Sequence, residues 1–288
     1  FWLKLIQRRE AAAKPRLPLA AYMASTPTIT IYVIPGSQFS AKVLVALDSR
    51  NITHYVNFVE ARPEQRKLPS GGRMVPEMVF NEDVVPDSDA ILRHVDKHLH
   101  SGFFPSDLPA VTEICERAST VLAAYAFYYN WVYEPSYRRS MAETAARHLP
   151  NFVCCCRDRV VDWQLSTHRE DFRVKITNLL GLDPDDSLPE ELEMRENLVA
   201  ELMRYQAELK SEQQPYIIAT TTRLTAADAA VYAQVERLVG DEGDVDTPCS
   251  LPSLLEETKF ARIWKWHSRM RAQHPIKFKG KRPPRGKE

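Results

Sequence analysis

The chain is short of cysteine, of net charge and of long apolar runs, and each shortage narrows what it does. Lysine plus arginine number 38 and aspartate plus glutamate number 38, so the formal net charge is zero. Without a global field, nothing in the composition draws the chain to nucleic acid or to anionic lipid. No stretch approaches the ~18–20 consecutive apolar residues of a membrane span. The cysteines are Cys115, Cys154, Cys155, Cys156 and Cys249. Three are contiguous, and neighbouring cysteines rarely build a disulfide framework, so a reducing intracellular compartment, the cytoplasm, is expected. The triplet lacks CxxC spacing and a nearby His pair, which argues for packing in a helix rather than a metal or redox site. No internal repeat and no low-complexity segment is present.

What is there is an ordinary globular composition. With 288 residues and 44% apolar content, the chain has room for one large domain or two ordinary ones with sizeable cores. The ends stand apart. Residues 1–27 read as an extension: Lys4, Arg8, Arg9, Lys14 and Arg16 face a single acid, Glu10. Met23 opens Met-Ala-Ser-Thr-Pro, which reads as a start, and the basic stretch before it reads as an organelle-targeting remnant or translated upstream sequence. Residues 275–288 read as a basic tail, its prolines and charges from Lys277 to Lys287 suiting a solvated end.

Between the ends, two patterns follow one another. Thr28 to Ile34 is β-branched and aromatic, a buried strand stopped by Pro35-Gly36. From Ser37 the period becomes helical, with Val43, Leu44, Ala46 and Leu47 on one stripe and Lys42 and Asp48 outside it. Asn51 suits the C-cap. Thr53 to Val59 alternates as a second strand, and Arg62 to Arg73 is a polar short helix or loop. Met78-Val79-Phe80 is a third strand, and Asn81-Glu82-Asp83 turns into Val84-Val85, a fourth. Pro86-Asp87-Ser88 opens a helix through Leu99. These elements make residues 28–100 an α/β unit. After a linker from His100 to Pro109, residues 110–274 read as all helix.

Four short signatures carry the chemistry. Ser37-Gln38-Phe39-Ser40 puts a hydroxyl at a helix N-terminus, where unpaired N–H groups and the macrodipole favour an anion; the same residue also suits a plain N-cap. Val75-Pro76 suits a cis-proline ahead of a strand, exposing the backbone of Val75 to an extended peptide, or simply a proline that begins a strand. Asp87-Ser88 offers a carboxylate for an ammonium group and a hydroxyl for a carboxylate, or caps its helix and nothing more. Thr225-Ala226-Ala227-Asp228 is a capping box before an apolar helix, with a structural role.

In this order and spacing the four signatures resemble the soluble glutathione transferases, from about Thr28 to Ala272, and the Ser37-Gln38-x-Ser40 run resembles the theta and other serine-type classes. Pro215 to Ala219, followed by Leu224 to Asp228, resembles the family's stretch before and into its buried capped helix. The resemblance implies the glutathione transferase fold: an α/β thioredoxin-like N-terminal domain plus an all-α C-terminal domain. It implies glutathione as co-substrate, no metal, and a small apolar electrophile as acceptor, the chemistry of detoxification. By it, Ser37 hydrogen-bonds the glutathione sulfur, Val75 and Pro76 hold the cysteinyl part, and Asp87 and Ser88 hold the γ-glutamyl group. Tyr32 on the first strand is the alternative activator, though its place in the strand suits packing better. Homodimers are usual in the family.

Three departures qualify the resemblance. The usual lead-in to the cis-proline is replaced by Pro69 to Met74, so Arg73 is the residue left to reach the glycyl carboxylate. The segment between residues 137 and 210 is longer than usual, as in the metaxin and ganglioside-induced group, several of which are weak or inactive. The upstream residues have no counterpart. The aromatic run Tyr125 to Tyr133 lies where the acceptor pocket is expected, with Tyr125 and Tyr129 as its wall, or forms the helical core instead. A non-catalytic binding or scaffold protein and a glutathione-dependent isomerase or peroxidase remain the alternative functions.

Overall fold

The computed structural model describes residues 27–60, 65–133, 157–183, 187–239 and 258–278. The cysteine triplet, Cys249, nearly all of the N-terminal extension and the helical reading of 137–156 lie outside the described residues.

The expected order of elements is present. Strand β1 (Ile29–Val33) leads into helix α1 (Gln38–Ser49) and strand β2 (Tyr55–Phe58). Strands β3 (Glu77–Phe80) and β4 (Asp83–Pro86) form a hairpin that feeds helix α2 (Ser88–Leu99). The sheet runs β2-β1-β3-β4, with β1 and β2 parallel and the other pairs antiparallel. This is the thioredoxin-like βαβ–ββα arrangement. β1 alternates as a strand with one buried face should: Ile29, Ile31 and Val33 are buried while Thr30 and Tyr32 are half-buried on the other face. Asn51, just past α1, takes φ 52°, the left-handed turn that stops a helix.

The register fixes the geography of the site. Tyr32 pairs with Glu77, and Glu77 pairs with Pro86. The exit of β1, the start of β3 and the exit of β4 therefore meet at one end of the sheet. Ser37, Val75-Pro76 and Asp87-Ser88 leave from that end.

The linker is ordered by one carboxylate. Asp96 accepts from Ser101 Oγ (2.8 Å), Gly102 N (2.6 Å), Phe103 N (3.0 Å) and Phe104 N (3.0 Å). Beyond it, helix α3 (Pro109–Arg117) and helix α4 (Ala123–Phe127) are joined and followed by wider π-helical turns at Ala118–Leu122 and Tyr128–Val132. Each wide turn rotates the faces that follow it. Helices α5 (Arg157–Leu180), α6 (Glu191–Glu208), α7 (Ala226–Val239) and α8 (Ala261–Gln273), with a 3-10 turn at Thr258–Phe260, complete the described helical part.

Helix α7 is buried along almost its whole length, and α1 and α3 both pack on it. Its start is the predicted capping box in its fullest form. Asp228 Oδ2 accepts from Thr225 N (2.9 Å) and Thr225 Oγ1 (2.7 Å), and Oδ1 accepts from Ile217 N (2.7 Å). Burial raises the Asp228 carboxyl above its ordinary range, and its donors offset only part of that. Arg50 ties the two domains by donating to Ser101 O (2.8 Å) and to Leu224 O (2.8 Å).

Two sequence readings need correction. Lys42 is not outside the packed stripe of α1: it is 0% exposed. Its ammonium lies 2.7 Å from Asp89 Oδ1 and 2.8 Å from Ser119 Oγ, partners from α2 and from the turn after α3 that lie far along the chain. Nor is Phe278 part of a fully solvated tail: Ile276 and Phe278 pack against the core. Among the described residues no helix is long and apolar enough to cross a membrane.

Candidate active site

Ser37 sits where the sequence places it, as the N-cap of α1, half-buried, with φ −76° and ψ 116°. Its Oγ accepts from Ser40 N at 3.3 Å. Ser37 and Gln38 form one wall of a cavity of about 180 Å³. Glu236 and Arg237 of α7, Arg271 of α8 and Phe278 form the facing walls. A cavity below the ~300–1,000 Å³ typical of small-molecule sites takes a fragment of a ligand rather than a whole tripeptide. Glu236 is the polar centre of this wall. Its Oε2 is 2.6 Å from His267 Nε2 and its Oε1 is 2.9 Å from Arg271 Nη2.

The other predicted residues do not line that cavity, but they share the sheet end. The Val75-Pro76 peptide is cis, with Val75 half-buried and Pro76 buried. Asp87 is exposed, with φ 70°, a conformation uncommon for a non-glycine residue. Its Oδ1 caps α2, accepting from Asp89 N (2.8 Å) and Ala90 N (3.2 Å). Ser88 is 1% exposed, and its hydroxyl has no hydrogen-bond partner in the protein. Ser40 Oγ and Gln38 Nε2 are likewise buried without partners. A buried polar group without a partner costs free energy. Three such groups lie at the starts of α1 and α2.

The lead-in to Pro76 is rebuilt around residues the motif reading did not single out. Buried Glu77 accepts from Ser70 N (2.9 Å) and from Ser70 Oγ. Gly71, at φ 73°, makes the left-handed turn that this requires. Arg73 is exposed, and its carbonyl accepts from Arg66 Nη1. Arg66 thus braces the loop that precedes β3. A polar stretch with two adjacent glycines reads only as a loop in sequence, which is why its internal pinning was not legible.

Beneath Asp87-Ser88 lies the Lys42 network. Asp89 accepts from Lys42 and from Cys115 Sγ (3.0 Å). Burial alone would raise the Asp89 carboxyl, but the Lys42 ammonium outweighs it and holds it below the ordinary range. Burial pushes the Cys115 thiol up to about 12. Thiolate is the reactive form. Peptide mapping after brief treatment of native protein with a maleimide should therefore find Cys115 unmodified, and labelled once urea is present. Labelling in the native state would contradict the buried network.

The aromatic run is spread over several faces. Tyr125 (6% exposed) and Tyr129 (1%) are core residues of the helical domain and do not line the cavity beside Ser37. Burial raises both phenols. Phe127 points the other way, its ring centre 6.0 Å from that of Phe39 on the first turn of α1 and 5.6 Å from that of Phe172. Tyr32 lines no part of the cavity either.

A four-stranded βαβ–ββα domain with a cis-proline before β3, backed by helices around a capped central helix, defines the glutathione transferase fold. The comparisons agree. Residues 31–100 match the family model described as glutathione S-transferase, N-terminal domain. The chain therefore carries a glutathione S-transferase N-terminal domain ahead of its helical part. A search of curated protein sequences gives no significant match. Among solved structures, it is similar to a beta-etherase from Sphingobium sp. strain SYK-6, with TM-score 0.56, 16% identity, and coverage of 86% of this chain and 96% of that one. It is also similar to Gtt2 from Saccharomyces cerevisiae, with TM-score 0.52, 14% identity, and coverage of 86% and 98%. Human glutathione transferase theta-2, solved in complex with glutathione, gives TM-score 0.50 at 16% identity, covering 85% of this chain and 81% of that one. At these identities the likeness is one of fold.

Proposed function

We propose that this protein is a glutathione S-transferase that holds the glutathione thiol as thiolate at the start of α1 for attack on small electrophiles. The observation that carries the reading is the convergence of Ser37, the cis Val75-Pro76 peptide and Asp87-Ser88 at one end of the sheet. Ser88 Oγ and its helix N-terminus suit the γ-glutamyl carboxylate, the outer oxygen of Asp87 suits the amine, and the Val75 backbone suits the cysteinyl part. Ser37 then donates to sulfur. Accepting from Ser40 N uses only a lone pair, so the hydroxyl hydrogen stays available. Charge-assisted donation and the helix N-terminus together lower a thiol pKa of about 8.5 by one to two units, which populates the nucleophile near neutral pH. The thiolate attacks the electrophilic carbon, the carbon–sulfur bond forms as the leaving group departs, and no covalent enzyme intermediate is needed. The decisive test is ultraviolet difference absorbance of the thiolate on titrating purified protein with glutathione, paired with turnover on several electrophiles. Absence of both would end this reading.

The competing reading is a non-catalytic binding protein, and one observation favours it: Ser37 already serves as a helix cap. Glutathione binding without a thiolate signal would favour that alternative.

A further inference from the structure

Helix α2 carries a histidine pair that the glutathione-binding reading does not use. His94 and His98 stand four residues apart, which puts them on one face of the helix. Their ring centres are 4.3 Å apart and their planes 34° from parallel. Both rings lie against Phe80 of β3, at 5.0 Å and 5.4 Å between centres. Phe80 pairs with Asp83 across the β3–β4 turn, and residues paired across two strands project from the same face of the sheet. A carboxylate therefore joins the two imidazoles: Asp83 Oδ2 lies 3.9 Å from His94 Nε2.

That separation is too long for a hydrogen bond. His94 Nε2 is buried and has no hydrogen-bond partner in the protein. Shutting a polar nitrogen from water without a partner costs free energy. Two imidazoles at i and i+4 on one helical face are the arrangement that chelates a transition ion, and imidazole suits zinc, copper and nickel. Two ligands on one tetrahedral zinc, each about 2.0–2.1 Å from it, are ~3.4 Å apart. The 3.9 Å gap closes to that by a small turn of Asp83, whose side chain is 70% exposed. Among the described residues no three such side chains already converge as a finished metal centre does. The protein's fixed contribution is thus the two-imidazole chelate, and Asp83 and water complete the shell. We propose that His94 and His98 form a chelating site for zinc, with Asp83 drawn in from the hairpin, so that the ion fastens α2 to the β3–β4 turn. At about 1.5 Å per residue the two histidines lie ~9 Å and ~15 Å along α2 from Ser88. The ion therefore holds the helix in place and takes no part in chemistry at its start, and the site stands whether or not the protein is a transferase.

The ring nitrogens themselves give the test. The full chain, labelled with ¹⁵N at histidine only, is titrated with zinc sulfate at pH 7.5. The resonances of His94 and His98, assigned from the variants His94→Gln and His98→Gln, should shift together and saturate at the same zinc concentration. Either replacement is expected to weaken zinc binding at the remaining ring by at least about tenfold, the least that loss of even an outer partner of a metal ligand costs. Asp83→Asn should weaken it less. Each variant is read only where its circular dichroism matches the wild type, and the wild-type titration decides alone if a variant misfolds. Rings that do not respond to millimolar zinc, or that saturate at different concentrations, overturn the chelate, as does a His94 signal that responds equally well in His98→Gln. Zinc taken up by cysteine thiols elsewhere does not enter a readout confined to these two rings.

Discussion

Replacing Ser37 with alanine should lower kcat for conjugation about tenfold to a hundredfold at pH 7 while changing the affinity for glutathione only slightly. The substitution removes one donor to a charged sulfur, worth about 1.5–3 kcal/mol. At ~1.4 kcal/mol per pKa unit, the bound thiol should rise by one to two units toward its free value. The acid limb of the kcat–pH profile should move up by the same amount, so the deficit shrinks as pH rises through the new value. In the proposed binding mode the peptide is held mainly through Val75, Asp87 and Ser88, so binding should survive. The lost cap at α1 should also cost about 0.5–2 kcal/mol of stability, and a thermal melt separates that effect from the kinetic one. An unchanged kcat with an unmoved pH limb would remove Ser37 from the chemistry.

The largest stability effect is expected at Asp228. Its carboxylate is the acceptor for two backbone N–H groups and one hydroxyl, all buried. Alanine would strand all three donors inside the core. Each buried unmet group costs about 1–3 kcal/mol, and partial relaxation brings the total to roughly 3–5 kcal/mol. In a protein of this size that corresponds to a drop in Tm of about 10 °C. Asparagine should recover only part of the loss, because one of its two head atoms donates where the aspartate accepts. A fall in unfolding free energy below about 1 kcal/mol for the alanine variant, measured in urea, would show that the cap is not what anchors α7.

Most of the architecture was legible because it rests on local patterns. A β-branched and aromatic run marked β1, a change of period marked α1, and Thr225 with Asp228 announced α7 from the local pattern alone. Ser37, Val75-Pro76 and Asp87-Ser88 were legible as turn and cap residues, and sheet register then brought them together. What the sequence hid was pairing across long separations. Lys42 reads as a surface lysine until Asp89 and Ser119 are placed beside it. Glu77 reads as an ordinary polar strand residue until Ser70 folds back onto it. In sequence the aromatic run leaves two readings open, pocket wall or helical core. Tyr125 and Phe127 stand two residues apart on one α-helical stretch and so face opposite sides, Phe127 meeting Phe39 while Tyr125, with Tyr129, turns into the helical core; which side meets the N-terminal domain depends on packing across long separations.

The Lys42 ammonium takes partners from two helical segments beyond its own, and its side chain has no exposure at all. A chimaera that joined this thioredoxin-like half to another helical half would keep Asp89 and lose Ser119, setting a charged head against foreign apolar surface. Exchange of halves between relatives is therefore constrained at the seam: whatever replaces the helical part must bring its own hydroxyl to that spot, or position 42 must change with it.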